Sequence, residues 1–412
     1  MPEKQGYLRN HPVLINFLLT TASVEFVRMS LVFTFLPSFF NSQNYEKSLL
    51  GIVLSACLLA DNLLKSTAGW LVDRYGPWPV LLIGSGCVLF GISIFIFFYK
   101  TLFLLIMAGI FIGLGVSPTW PAAIAGSLKI GGEEKKATII SIISVVWLAG
   151  GGLGPVLMGF LIDAGNAKFD GYFAGLLIMF LMSVLAIINN LVGGFLWKRI
   201  KDNNPNSNEE QKNKQKINEI FRRLWMVKGL LPGMFFQTIS LGILIPNLLP
   251  YAVNQLRLSE SQYSILLIIG GLVVITFMIP VGHLVDKWGA KGFLVSGFLL
   301  ASVGLFLLVR FANVGNIWYI AAFTGLSYSL IQPAWNSLLA GCIPPEQRGV
   351  LMGLFMSVEG IGFAFGPLVG GYLSMIKNSG PGIPFYVSSA ALLVMAFVYL
   401  MYPFHQYHFK EF

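Results

Sequence analysis

Two acids and two bases stand inside apolar stretches near the start of this 412-residue chain: Glu25 with Arg28, and Asp61 with Lys65. Spacings of three and four residues put each pair on one face of a helix, with Cβ atoms about 5 to 6 Å apart. Ionised groups in hydrocarbon are costly unless paired or wetted, so the four are expected to face a cavity inside the first half of the chain. A static ion-pair lock between two helices would use the same residues, but two acids and two bases exceed what helix docking needs. A carboxylate alternately exposed to the two sides of a membrane, beside a cation and partly desolvated, can carry a proton in exchange for a solute. Glu25 and Asp61 are the candidates for proton coupling. Arg28 can hold an anionic or hydroxyl-rich group bidentately, and Lys65 can bind one likewise.

Three tryptophans lie inside apolar runs rather than at their ends, where tryptophan usually collects: Trp120, Trp147 and Trp335. An indole offers an apolar face for a sugar ring and one N–H donor, although such residues more often pack helices together. The second half holds one mid-helix charge, Glu359, with polar Gln237, Asn247, Gln332 and Asn336. One half is charged and the other largely apolar. An amphiphile could set its headgroup on the first and its chains on the second, so Arg28, Lys65, Trp120, Trp147, Trp335 and Asn336 are candidate substrate-binding residues.

The composition places these residues in lipid. Apolar residues make up 56% of the chain and charged ones 11%, too few to cover a soluble surface of this size. Cys57, Cys87 and Cys342 stand at no metal-ligand spacing, so neither a disulfide framework nor a metal site is expected, and no cofactor is implied. The formal charge of +9 reads as membrane topology rather than as a nucleic-acid surface. No cleavable signal is expected, because the first apolar run is long enough to span and lacks a small-residue cleavage site.

Twelve runs suffice for a bilayer core of about 30 Å at 1.5 Å per residue. They cover residues 13–38, 48–72, 78–99, 102–128, 138–163, 171–197, 226–251, 260–285, 291–311, 316–341, 350–376 and 382–403. With the N-terminus cytoplasmic, nineteen Lys and Arg fall inside and six outside, namely Lys47, Lys100, Lys168, Arg257, Arg310 and Lys377. That imbalance puts both termini in the cytoplasm.

The chain is also written twice. Gly69-Trp70-Leu71-Val72-Asp73-Arg74-Tyr75-Gly76 returns as Gly282-His283-Leu284-Val285-Asp286-Lys287-Trp288-Gly289. Leu36-Pro37 answers to Leu249-Pro250, Pro118-x-Trp120 to Pro333-x-Trp335, Glu134-x-Lys136 to Glu346-x-Arg348, and Gly154-Pro155 to Gly366-Pro367. The first motif falls where two helices meet at the water surface. Its glycines let helices touch, its acid can cap a helix N-terminus and its cation can pair. Gly69, Asp73, Arg74, Gly76, Asp286 and Lys287 are therefore the expected gating positions, with Gly154, Pro155, Gly366 and Pro367 as close-packing points where helices can bend. The expected architecture is an all-α membrane protein of twelve transmembrane helices in two pseudo-symmetric six-helix bundles. The first spans 1–197 and the second 226–412, with a cytoplasmic linker at 198–225. Ile217, Ile220, Phe221, Leu224 and Trp225 fit either an amphipathic helix on the inner leaflet or a solvated linker.

The repeated signature and the twelve-helix duplication resemble the major facilitator superfamily over essentially the whole chain. Gly362-x-x-x-Gly366-Pro367-x-x-Gly370-Gly371 matches a pattern that the superfamily's antiporters carry in helix five. Gly150-x-x-x-Gly154-Pro155-x-x-x-Gly159 departs from it by one glycine. Alone these glycines indicate close packing; exchange is implied only by the family. Gly115 to Trp120 (GVSPTW), Val24 to Arg28 (VEFVR), Leu230 to Gln237 (LLPGMFFQ) and Gln332 to Ala340 (QPAWNSLLA) resemble the flippases that move the glycolipid anchor of lipoteichoic acid in Gram-positive bacteria. That likeness implies a proton-coupled antiporter with a hydrophilic pocket at Glu25, Arg28, Asp61, Trp120 and Trp147. Lys65 and Asp163 depart from the pattern. The expected partners are a lipid or amphipathic small molecule, protons and membrane lipids, handled by a monomer in the cell membrane. A proton-driven exporter of small amphipathic drugs is the alternative. An enzyme is disfavoured: no nucleophile–base pair, metal cluster or phosphate loop appears, and His11, His283, His405 and His408 sit at ends or in a turn.

Overall fold

The computed structural model describes residues 12–123, 126, 136–165, 169–203, 231–341, 348–376 and 380–401. They form twelve helices. In chain order these are α1 (Pro12–Ser42), α2 (Lys47–Tyr75), α3 (Pro77–Phe98), α4 (Leu102–Ala123), α5 (Lys136–Ala164), α6 (Phe169–Asn203), α7 (Leu231–Asn254), α8 (Glu260–Trp288), α9 (Ala290–Phe311), α10 (Ile317–Gly341), α11 (Arg348–Leu373) and α12 (Ile383–Met401). Ten of them are long and apolar enough to cross a membrane. The other two, α10 and α11, are 25 and 26 residues long and carry Gln332, Asn336 and Glu359. Hydrocarbon offers no partner to a bare backbone N–H or C=O, so a chain this apolar satisfies both within helices. The protein is an all-α, multi-pass membrane protein. α6 runs on through 198–203, into the expected linker. The rest of the linker's amphipathic stretch lies outside the described residues, as do His11, Glu134, Cys342, Glu346, His405 and His408.

Packing groups the chain into two units, Met1–Phe35 with Ala56–Lys214, and Leu36–Ser55 with Gln215–Phe412. In the first, α1 packs on α5 and α6, and α3 on α4 and α6. In the second, α7 packs on α11 and α12, and α9 on α10 and α12. Raising each helix number by six turns one set of contacts into the other, so the sequence repeat is also a repeat of architecture. Glycines make the equivalent approaches. A Cβ on Gly154 would stand 2.5 Å from the Phe26 carbonyl oxygen of α1, and one on its counterpart Gly366 would stand 2.7 Å from the Ile239 carbonyl oxygen of α7. Gly366 abuts the Gly242 backbone in the same seam. Without a hydrophobic force between helices in lipid, such backbone-to-backbone contact is what draws them together.

The two copies of the surface motif fold alike. Gly76 and Gly289 share φ 87°, with ψ 164° and 155°. Each N–H donates to the carbonyl four residues back, Val72 or Val285, at 2.8 Å. That backbone region is essentially reserved for glycine. The expected capping role is not seen: Gly76 and Gly289 themselves are the N-caps of α3 and α9, with no side-chain hydrogen bond. Asp73 and Asp286 fall in the last turn of the preceding helix, three residues short of the cap, and both are exposed. Arg74 is exposed too; its guanidinium lies 5.2 and 5.3 Å from the ring centroids of Trp70 and Tyr75. Lys287 is likewise exposed, and Gly69 has only the Pro121 side chain within 4 Å of a would-be Cβ.

The segment Leu36–Ser55 belongs to the first copy by sequence yet packs within the second unit. Ser38 Oγ donates to Glu260 Oε1 at 3.1 Å. Asn41 and Asn254, which occupy matching places in the two copies, exchange amide hydrogen bonds of 3.2 and 2.6 Å. On α2 the Gly51 backbone meets the Pro367 carbonyl, and a Cβ on Gly371 of α11 would stand 2.5 Å from the Lys47 oxygen.

These contacts set expectations for stability. Gly154→Val places a branched side chain against the α1 backbone and should cost about 1–3 kcal/mol, read as a lower unfolding temperature in detergent. Gly152→Ala, where nothing lies within 4 Å, should leave that temperature unchanged.

Candidate functional site

α1 is the most polar of the buried helices: Thr20, Thr21, Ser23, Glu25, Arg28, Ser30 and Thr34 are all buried on it. Just beyond Arg28 the helix widens into a π turn over Leu31–Phe35. Such insertions recur at functional sites because they re-aim neighbouring side chains. Thr34 Oγ1 donates to the Pro155 carbonyl at 3.1 Å, fixing the π turn to α5 beside Gly154.

The four sequence-derived charges form one chain. Arg28 Nε and Nη2 donate to Glu25 Oε2 at 2.8 and 2.6 Å. Arg28 Nη1 lies 3.5 Å from Asp61 Oδ2 on α2, and Lys65 Nζ reaches the same oxygen at 3.4 Å. Glu25, Arg28 and Asp61 are only 3, 8 and 1% exposed, whereas the Lys65 side chain is 26% exposed. Lys65 is therefore the open end of the chain. Fully ionised, the four sum to zero charge, which makes their burial tolerable.

The arrangement is uneven. Both carboxyl oxygens of Asp61 lack a hydrogen-bond donor and depend on the two longer ion pairs. Glu25, by contrast, takes two charge-assisted bonds on one oxygen, the stronger kind of contact. Asp61 is thus the least well satisfied acid of the cluster. Arg28 spends its fork on Glu25 in this conformation, as the static-lock arrangement would have it. Binding an outside anion through that fork requires Glu25 to let go.

Two further residues complete the site, and the charge pattern did not single them out. Asn62 donates to the Leu58 carbonyl at 2.8 Å and accepts from Lys65 Nζ at 2.8 Å, so it aims the ammonium toward Asp61. Its place beside Asp61 in a buried run was the available signal. Cys57, one helical turn before Asp61, is fully buried.

Trp120 and Trp147 meet edge to face, with centroids 6.0 Å apart and planes at 65°. Both are half-buried. Trp120 also packs on Leu14, Leu18, Ala123 and Ile143. In the second unit Trp335 is buried, its ring 5.8 Å from that of Tyr399, and its Nε1–H donates to Glu359 Oε1. Asn336 beside it is exposed. Among the described residues no group of three or more His, Cys, Asp or Glu is placed to hold a metal.

The model of the Major Facilitator Superfamily matches residues 17–239 and again 230–411, once for each copy of the repeat. The chain belongs to the major facilitator superfamily. Its architecture is that of the superfamily's transporters. The D-xylose-proton symporter superimposes with a TM-score of 0.72 at 17% identity, covering 94% of this chain and 97% of that one. The bacterial homologue of the human lysosomal transporter Spinster, in an inward-facing and occupied conformation, gives 0.74 at 14% identity and 98% of each chain. The nucleoside transporter NupG gives 0.71 at 14% identity, covering 95% of this chain and all of that one (100%). In sequence, the proton-coupled antiporter flippases LtaA of Staphylococcus aureus strains MSSA476 and USA300 are 26% identical over 396 residues, 95% of each chain.

The geometry predicts a specific energetic dependence. Arg28→Met strips both carboxylates of their shared cation and should destabilise the protein by about 3–5 kcal/mol, the usual cost of breaking a buried ion pair from one side. Adding Glu25→Gln should recover part of that loss. Unfolding midpoints of the single and double variants in one detergent measure the recovery.

Proposed function

We propose that this superfamily member is a proton-coupled antiporter that flips a glycolipid across the cell membrane by alternating access. The glycolipid is of the lipoteichoic-acid anchor type, resembling diglucosyl-diacylglycerol. The observation that carries the reading is the buried chain Glu25–Arg28–Asp61–Lys65, in which one guanidinium serves two carboxylates. The likeness to the LtaA flippases over nearly the full length supports it. Both termini are taken as cytoplasmic.

The chemistry of exchange follows from the charge sum. Protonating Asp61 or Glu25 leaves the cluster with one net positive charge and frees donors on Arg28. The same groups can then hold an anionic or hydroxyl-rich headgroup, with Lys65 at the open end and the Trp120–Trp147 pair offering indole faces to a sugar. Loss of the proton restores the Arg28 ion pairs and expels the headgroup. Proton and headgroup thus compete for one set of partners, as an antiporter requires. Gly69, Asp73, Arg74, Gly76, Asp286 and Lys287 at the repeated turns, and Gly154, Pro155, Gly366 and Pro367 in the close-packed seams, are the positions assigned to the rocking of the repeats.

Reconstituted protein should flip a fluorescent diglucosyl lipid in vesicles, and the headgroup disaccharide should compete. Competition by hydrophobic cations alone would instead favour export of amphipathic drugs. Glu25→Gln, nearly isosteric, should fold normally yet abolish flipping driven by a pH gradient; an unchanged rate rejects Glu25 as the proton carrier.

A further inference from the structure

The internal repeat carries a comparison into the second unit. The offset that relates Gly150 to Gly362 and Gly154 to Gly366 also relates Trp147 to Glu359, and Trp120 answers to Trp335. In the first unit the pair is two indoles in edge-to-face contact. In the second it is an indole N–H donating to a carboxyl group. α4 and α5 supply the first pair, α10 and α11 the second. Where the first unit has an aromatic surface, the second has a titratable group.

Glu359 is half-buried, and its Oε2 has no hydrogen-bond donor among the described residues. No described cation lies within ion-pair distance of it, in contrast to Glu25 and Asp61. The surroundings offer little charge. On α10, Tyr328 stands within electrostatic reach. On α12, the Tyr399 hydroxyl is turned to Gln237 of α7, to which it donates at 3.2 Å. α7 has no Asp, Glu, Lys, Arg or His between Gly233 and Asn254, and α8 has its charged or titratable residues, Glu260, Tyr263, His283, Asp286 and Lys287, near its two ends. A carboxylate with one neutral donor and no counter-cation is expensive at this depth, and taking up a proton removes that cost.

We infer that Glu359 is a second protonation site, held by the Trp335 N–H at the place in the second unit that the repeat gives to Trp147 in the first. Oε2 accepts a proton from water when the site is wet and keeps it when apolar chains cover the site, while the Trp335 bond to Oε1 persists in both states. The second half therefore carries a group able to become neutral when acyl chains press on it. This inference rests on the flippase reading only for what the proton is coupled to.

Substrate-free infrared titration separates the two. Purified protein without lipid substrate should show a carboxylic C=O stretching band that appears and vanishes reversibly with pH. Glu359→Gln should abolish that component, and Trp335→Phe should shift its midpoint. A titration unchanged in both variants overturns the inference, whatever the glycolipid assay shows. In vesicles with a lumenal pH dye, Glu359→Gln should also move fewer protons per lipid flipped; an unaltered ratio would overturn the site's part in coupling. If Glu359→Gln does not fold, the Trp335→Phe shift alone decides, its absence counting against the site.

Discussion

One guanidinium shared by two acids is the interaction on which the first unit depends. Arg28 lies between Glu25 on its own helix and Asp61 on α2, and all three are almost sealed from solvent. In a medium where an isolated ion is so costly, the sum of the cluster matters more than any one contact. While Arg28 and Lys65 stay charged, neutrality requires both acids to be ionised, so a proton gained by either acid must be matched by a rearrangement or by an arriving charge. A buried cluster balanced in this way can be a rigid lock or a switch. Its acids are unevenly satisfied, with Asp61 lacking any hydrogen-bond donor.

Duplication supplies the frame for that cluster. Each copy sets its first helix against its fifth and sixth and its third against its fourth and sixth, and each brings backbones together at the same glycines. Departures from the symmetry are where the halves became different tools. The first copy has charges on its first two helices; the second has Glu359 on its fifth, facing the indole that answers to Trp120.

Much of this was legible in the chain alone. Charges inside apolar runs stand out because hydrocarbon tolerates so few, and spacings of three and four predicted that Glu25 would meet Arg28 and Asp61 would meet Lys65. Helix count and repeat register were plain for the same reason. Contacts between helices were not. Periodicity says which face Trp335 occupies, but not that its N–H would find a carboxyl group 24 residues on. Nor could it reveal that Arg28 would also lie beside Asp61 of α2, or that α1 would widen at Leu31–Phe35. Those depend on helix rotation and on small residues far away in sequence. The regrouping of Leu36–Ser55 with the second unit is likewise a property of the fold, invisible to a reading that follows chain order.

The paired turns at Gly76 and Gly289 have a consequence of their own. Nothing lies within 4 Å of where a Cβ would sit at either, so neither position is short of room. The backbone there, φ 87° with ψ near extended, is closed to L-residues and is the mirror image of ordinary extended chain. A D-alanine introduced by chemical synthesis would fit both turns without strain. What the two positions exclude is handedness rather than bulk, and glycine, being achiral, is the one encoded residue that meets the requirement.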